Sequence, residues 1–175
     1  MVGLFPTVRG KPVGMSEPDE SDPIDALCSE LADLIEERPT VAVAESLTGG
    51  GIASALSRAS TSGDWFAGGI VAYQPHVKHD LLEVPPGPIV SAQAAETMAS
   101  NTARLLGADL VVAVTGEAGP EPQEEDPGTV WFGVVSGERV FSRRKVFDGD
   151  PPEIVEATTL HALRLLIDEA REAAG

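Results

Sequence analysis

The chain has 175 residues, a length for one domain, with 42% hydrophobic and 23% charged residues, an ordinary globular mix. Its longest apolar stretch, Trp65 to Ala72, is 8 residues with two glycines; a spanning helix takes about 20, so none is expected and no membrane partner with it. One cysteine, Cys28, excludes an internal disulfide and a multi-cysteine metal site, and a formal charge of −16 argues against direct nucleic-acid binding.

Residues 1–21 lack apolar periodicity and carry three prolines, which reads as a disordered acidic tail before a domain over 22–175. No secretory signal is apparent, so a cytoplasmic location is expected. Asp22-Pro23 reads as a helix cap with proline in the first turn, and Ile24, Leu27, Cys28, Leu31, Leu34 and Ile35 follow at helical spacing. Cys28 lies on that apolar stripe, as a buried structural thiol does. Thr40 to Ala44 is a β-branched run without alternation, the mark of a strand buried on both faces. A glycine-rich turn leads from it to a helix near Ile52–Arg58. Phe66 to Tyr73 reads as a second strand, Pro75 to Leu82 as a short helix, and Ser91 as the cap of a longer one. Leu110 to Thr115 is another buried strand. Thr129–Val135 and Arg139–Phe147 flank Ser136-Gly137-Glu138, a hairpin signal, and a long final helix runs from about Pro152 to Ala173. Alternating elements with a late hairpin predict an α/β fold: a three-layer α/β/α sandwich around a mixed, partly parallel sheet.

Three segments carry potential chemistry. Ala44-Glu45-Ser46-Leu47-Thr48-Gly49-Gly50-Gly51 joins a buried strand to a helix, where ligands bind in open α/β sheets. Free N–H groups at a helix start favour an anion, and a serine there can act as a nucleophile. The segment matches neither the phosphate loop nor the nucleophile elbow, and an ordinary glycine-rich turn is the competing reading. Thr115-Gly116-Glu117-Ala118-Gly119-Pro120 ends another buried strand and can face the same cleft. Tyr73, the only tyrosine, and Lys78, one of three lysines, follow the second strand. His76 and His79 lack a convincing third ligand, so no metal site is expected. His161 reads as a core histidine with satisfied polar atoms. The five carboxylates between Glu117 and Asp126 read as a solvated face, and Arg143-Arg144-Lys145 is the single basic cluster.

In order, Ala44-Glu45-Ser46-x-Thr48-Gly49-Gly50, Phe66-x-Gly68-Gly69-x-Val71-x-Tyr73 with Lys78, Val90-Ser91, Thr115-Gly116-x-Ala118-Gly119-Pro120 and Gly128-Thr129-Val130 resemble the C-terminal domain of the CinA family. Stand-alone members of that family are nicotinamide-nucleotide amidases (PncC). The resemblance spans about residues 24–168. It implies hydrolysis of the carboxamide of nicotinamide mononucleotide to nicotinate mononucleotide and ammonia, in a homo-oligomer, with a small-molecule nucleotide as partner and no cofactor. It implies catalytic roles for Ser46 as nucleophile, Tyr73 and Lys78. It implies substrate binding by Glu45, Thr48, Gly49, Gly50, Gly69, Ser91, Thr115, Gly116, Ala118 and Gly119. The chain departs from the pattern at Leu47, where the family has cysteine, and in an acidic loop that lacks the family's lysine. It departs again at Pro151, where the family has an active-site arginine, and a further family arginine is replaced around Val155-Glu156. Arg143 and Arg144 are the nearest replacements, and strand alternation allows at most one of them to reach the cleft. A divergent ligand-binding relative without amidase activity is the alternative.

Overall fold

The computed structural model describes residues 22–35, 39–121 and 124–174; the expected acidic tail over 1–21 lies outside them. In chain order the elements are α1 (Pro23–Leu34), β1 (Val41–Glu45), α2 (Gly51–Arg58), α3 (Ser62–Trp65), β2 (Phe66–Val71), α4 (Pro75–Asp80), α5 (Ala92–Leu106), β3 (Leu110–Gly116), β4 (Thr129–Ser136), β5 (Arg139–Val146) and α6 (Pro151–Ala174). No described helix is long and apolar enough to cross a membrane.

The sheet order is β2-β1-β3-β4-β5. Strand β1 runs parallel to β2 and β3, whereas β4 is antiparallel to both β3 and β5. Strand β1 and the first six residues of β3 are buried on both faces, which is why their sequences show no alternation. Strand β2 lies at the edge and alternates in exposure. One layer packs Leu31 and Ile35, Ile52 and Leu56, and Leu163, Leu166 and Ile167 onto Val41, Val43, Val112, Val114, Phe132 and Val134. The opposite layer packs Ala94, Met98 and Ala99 onto Ala42, Ala44, Val111, Ala113 and Val135. The fold is therefore the expected three-layer α/β/α sandwich with a mixed sheet. Each fully buried Val, Leu, Ile, Phe or Met side chain contributes about 1.5–3 kcal/mol, so the first layer, rich in such residues, contributes more to stability than the alanine-rich second.

The helix starts follow from local chemistry. Asp22 Oδ1 accepts from the Ile24 N–H at 2.9 Å, and Ser91 Oγ accepts from the Ala94 N–H at 3.1 Å. At α6, Asp150 and Glu153 cap each other reciprocally: Glu153 N–H donates to Asp150 Oδ1 (3.0 Å) and Asp150 N–H to Glu153 Oε2 (2.8 Å). Pro151 fills the first helical position, where a missing N–H costs nothing. The carboxyl ends of β1, β2 and β3 lie at one end of the sheet, beside Thr129 of β4.

Candidate active site

The turn after β1 is organised around Glu45, whose side chain is fully buried. Its Oε2 accepts from the Gly50 and Ile52 N–H groups at 3.0 and 3.1 Å, and its Oε1 from the Ala53 N–H at 2.8 Å. Gly50 takes φ 102°, a left-handed conformation that presents its N–H to this carboxylate. The α2 N-terminus was expected to be free for an anion; here the chain's own carboxylate occupies it. Ser46 is pinned at the centre of this turn. Its N–H donates to the Val114 carbonyl and its carbonyl accepts from the Gly49 N–H, each at 3.1 Å. The serine is only 8% exposed and opens onto a cavity of about 520 Å³.

Ser46, Tyr73, Lys78, Thr115, Gly116, Ala118 and Gly119 all line this cavity, so the three strand-end segments share one cleft. Tyr73 stands at the mouth, 63% exposed, and Lys78 on α4 is 2% exposed. The Lys78 ammonium has no hydrogen-bond or ion-pair partner among the described residues. Burial pushes its pKa below the ordinary lysine value, and the nearby Glu124 carboxylate opposes that shift in part. Thr115 Oγ1 donates to the Ile89 carbonyl at 2.7 Å and ties the segment before α5 to the cleft wall. Around the cleft, the Leu47, Ala118 and Gly119 amides donate to no acceptor among the described residues.

The other expected contact residues sit behind the wall. Glu45, Gly49 and Gly50 close the turn and the helix start as described above. Ser91 uses its hydroxyl as the α5 cap and as a donor to the Pro88 carbonyl at 3.0 Å. Gly69 allows α2 to approach the sheet: a Cβ there would lie 2.8 Å from Ala53 Cβ and 2.9 Å from Val43 Cγ2. Thr48 is buried, and its Oγ1 lacks a partner among the described residues.

Two carboxylates of the run expected to be solvated line the cleft; Glu124 is exposed as expected, whereas Glu117 is buried. Glu117 is 6% exposed, and its Oε1 accepts from the Glu124 N–H at 3.0 Å. Glu124 Oε2 in turn accepts from the Val90 N–H at 2.8 Å. The position of Glu117, directly after Thr115-Gly116, was the available signal. Neither candidate arginine lines the cleft. Arg143 stacks on the Phe141 ring, 4.6 Å from its centroid, while Arg144 pairs with Glu125 at 3.4 Å on the other face of β5. His161 packs edge-on against Phe132, with ring centroids 4.7 Å apart. Its Nε2 is buried without a partner among the described residues, so it is not the satisfied histidine expected. Burial first, then the Lys145 and Arg164 charges, lowers its pKa. Cys28 is buried, which pushes its thiol up to about 12. His79 Nδ1 donates to the Val84 carbonyl at 2.7 Å.

The CinA C-terminal domain model matches residues 25–170. A nicotinamide-nucleotide amidohydrolase PncC of Pseudomonas putida is 38% identical over 159 residues, covering 86% of this chain and 99% of that protein. A CinA-like protein of Synechococcus sp. is 48% identical over 102 residues, but the match spans only 24% of its length. Among solved structures, a CinA superfamily protein from Klebsiella pneumoniae 700603 superposes with TM-score 0.81 at 27% identity, covering 85% of this chain and 98% of that one. The competence/damage inducible protein CihA from Agrobacterium tumefaciens gives TM-score 0.78 at 30% identity, covering 96% and 99%. With the fold, the order of motifs and the family match in agreement, the chain belongs to the CinA C-terminal domain family.

Proposed function

We propose that this chain is a serine-dependent amidohydrolase of the nicotinamide-nucleotide type, converting nicotinamide mononucleotide and water to nicotinate mononucleotide and ammonia. The observation that carries the reading is that the Ser46 hydroxyl shares one cleft with the buried Lys78 amine, which has no hydrogen-bond or ion-pair partner among the described residues. Ser46 Oγ attacks the carboxamide carbon and its proton passes to neutral Lys78 Nζ. The oxyanion is met by the Leu47, Ala118 and Gly119 amides. Collapse of this intermediate breaks the C–N bond, ammonia leaves with the proton from Lys78, and water then hydrolyses the acyl ester. Tyr73 contacts the substrate at the mouth. The similarity to the Pseudomonas putida amidohydrolase over nearly all of that protein's length supports the reaction class.

A second reading, a ligand-binding relative without turnover, is favoured by Pro151, which replaces the arginine that the family pattern places at the site. The deciding experiment is ammonia release by the purified chain from nicotinamide mononucleotide. Saturable ammonia release is the expected result. Saturable nucleotide binding with no ammonia would support the second reading instead.

A further inference from the structure

Among the described residues three ionisable side chains other than Tyr73 line the cleft: Lys78, Glu117 and Glu124. A phosphate-bearing substrate carries about two negative charges at neutral pH, and proteins hold such groups with arginine or charged lysine. Among the described residues Lys78 is the single cationic one lining the cleft, and burial drives it toward its neutral form. The arginines nearest in sequence are engaged elsewhere, Arg143 on Phe141 and Arg144 on Glu125 and Thr129. The two carboxylates are held in place. Glu124 is fixed by its bond to the Val90 N–H, and Glu117 by the bond it accepts from the Glu124 N–H. They cannot swing clear of an incoming anion without breaking these bonds.

The pyridinium ring that carries the carboxamide is itself a cation. A cleft with two fixed carboxylates complements that ring and repels a phosphate. Resting on the amidase reading above, we infer that the preferred substrate class is a phosphate-free pyridinium nucleoside carboxamide. Glu117 and Glu124 are the specificity-determining residues. The reaction is unchanged: the amide C–N bond is exchanged for a C–O bond from water, giving a carboxylate and ammonium.

The test compares kcat/KM for ammonia release from nicotinamide riboside and from nicotinamide mononucleotide, using the full chain. The wild type is expected to prefer the riboside by about tenfold or more, the scale of one or two incompletely screened charge pairs. Glu124→Gln keeps an acceptor for the Val90 N–H and is expected to reduce that preference about fivefold or more, as is Glu117→Gln. Because Glu117 is buried and its variant can fail to fold, a second measurement uses the wild type alone. Raising salt toward about 1 M, where the Debye length is about 3 Å, is expected to narrow the preference by improving the mononucleotide. Equal or faster turnover of the mononucleotide overturns the inference and leaves the amidase reading standing. A preference that moves neither in Glu124→Gln nor with salt overturns the role of the carboxylates. No ammonia from either compound overturns both.

Discussion

Lys78 carries more of the proposed chemistry than its sequence position announces. A lysine after a strand end is ordinarily solvated, and what sets this one apart is its burial within the cleft at 2% exposure. Burial favours the neutral amine, so the form that can accept the Ser46 proton appears at a lower pH than for a free lysine. The sign follows directly. Activity is full above the lowered pKa and is lost as pH falls through it, so kcat/KM should rise with pH around a midpoint below the ordinary value of about 10.4. Lys78→Met should remove this limb and lower kcat by about 10²–10⁴. A pH–rate profile on both proteins checks this, and an unchanged profile in the variant would remove Lys78 from the reaction. The residue types at the cleft were legible: Ser46, Tyr73 and Lys78 follow a buried or edge strand, and Thr115 lies at the end of one. The roles of Glu117 and Glu124 were not, because a run of five carboxylates looks solvated until the fold buries Glu117 and sets the still-exposed Glu124 against the cleft.

Among the elements, α2 depends on a cap that comes from the preceding strand. Glu45 satisfies three N–H groups at the helix start while sitting fully buried. Glu45→Ala leaves those donors without acceptors and should lower stability by about 2–4 kcal/mol, read as a lower denaturant midpoint with an unchanged m-value. A loss under about 0.5 kcal/mol, the range of a neutral surface change, would show that the cap is dispensable. Caps at Asp22 and Ser91 were readable because the capping side chain immediately precedes its helix. Glu45 was not, since its bonds reach five to eight residues ahead and exist only once Gly50 adopts its left-handed turn. Helix α3 escaped detection for a simpler reason: four residues are too short for helical periodicity to show.

At the scale of the whole molecule, alternation of elements indicated a partly parallel sheet with a late hairpin, and the structure has both. Strand order was not legible. Placing β1 between β2 and β3 depends on non-local pairing that no single segment encodes. The charge of −16 acts on the whole fold. Exposed pairs such as Arg58–Asp25 at 3.0 Å and Arg104–Glu83 at 2.9 Å are each worth about 0–1 kcal/mol. Self-repulsion among the excess carboxylates outweighs them, so screening should raise Tm as salt increases from low to about 1 M. A Tm that falls with salt would show that the ion pairs dominate.

The proposed reaction depends above all on Ser46 as the nucleophile of an amidase. Its most direct test is the rate of ammonia release by Ser46→Ala beside that of the wild type, on whichever nicotinamide substrate the wild type turns over. The change removes one hydroxyl from a turn in which Ser46 bonds to the other described residues through its backbone, so the melting temperature should stay close to that of the wild type. A fall in kcat of about 10³ or more is expected, the scale on which loss of a nucleophile is felt. A folded Ser46→Ala protein turning over within about tenfold of the wild type would contradict it, because a factor of ten is only about 1.4 kcal/mol of barrier.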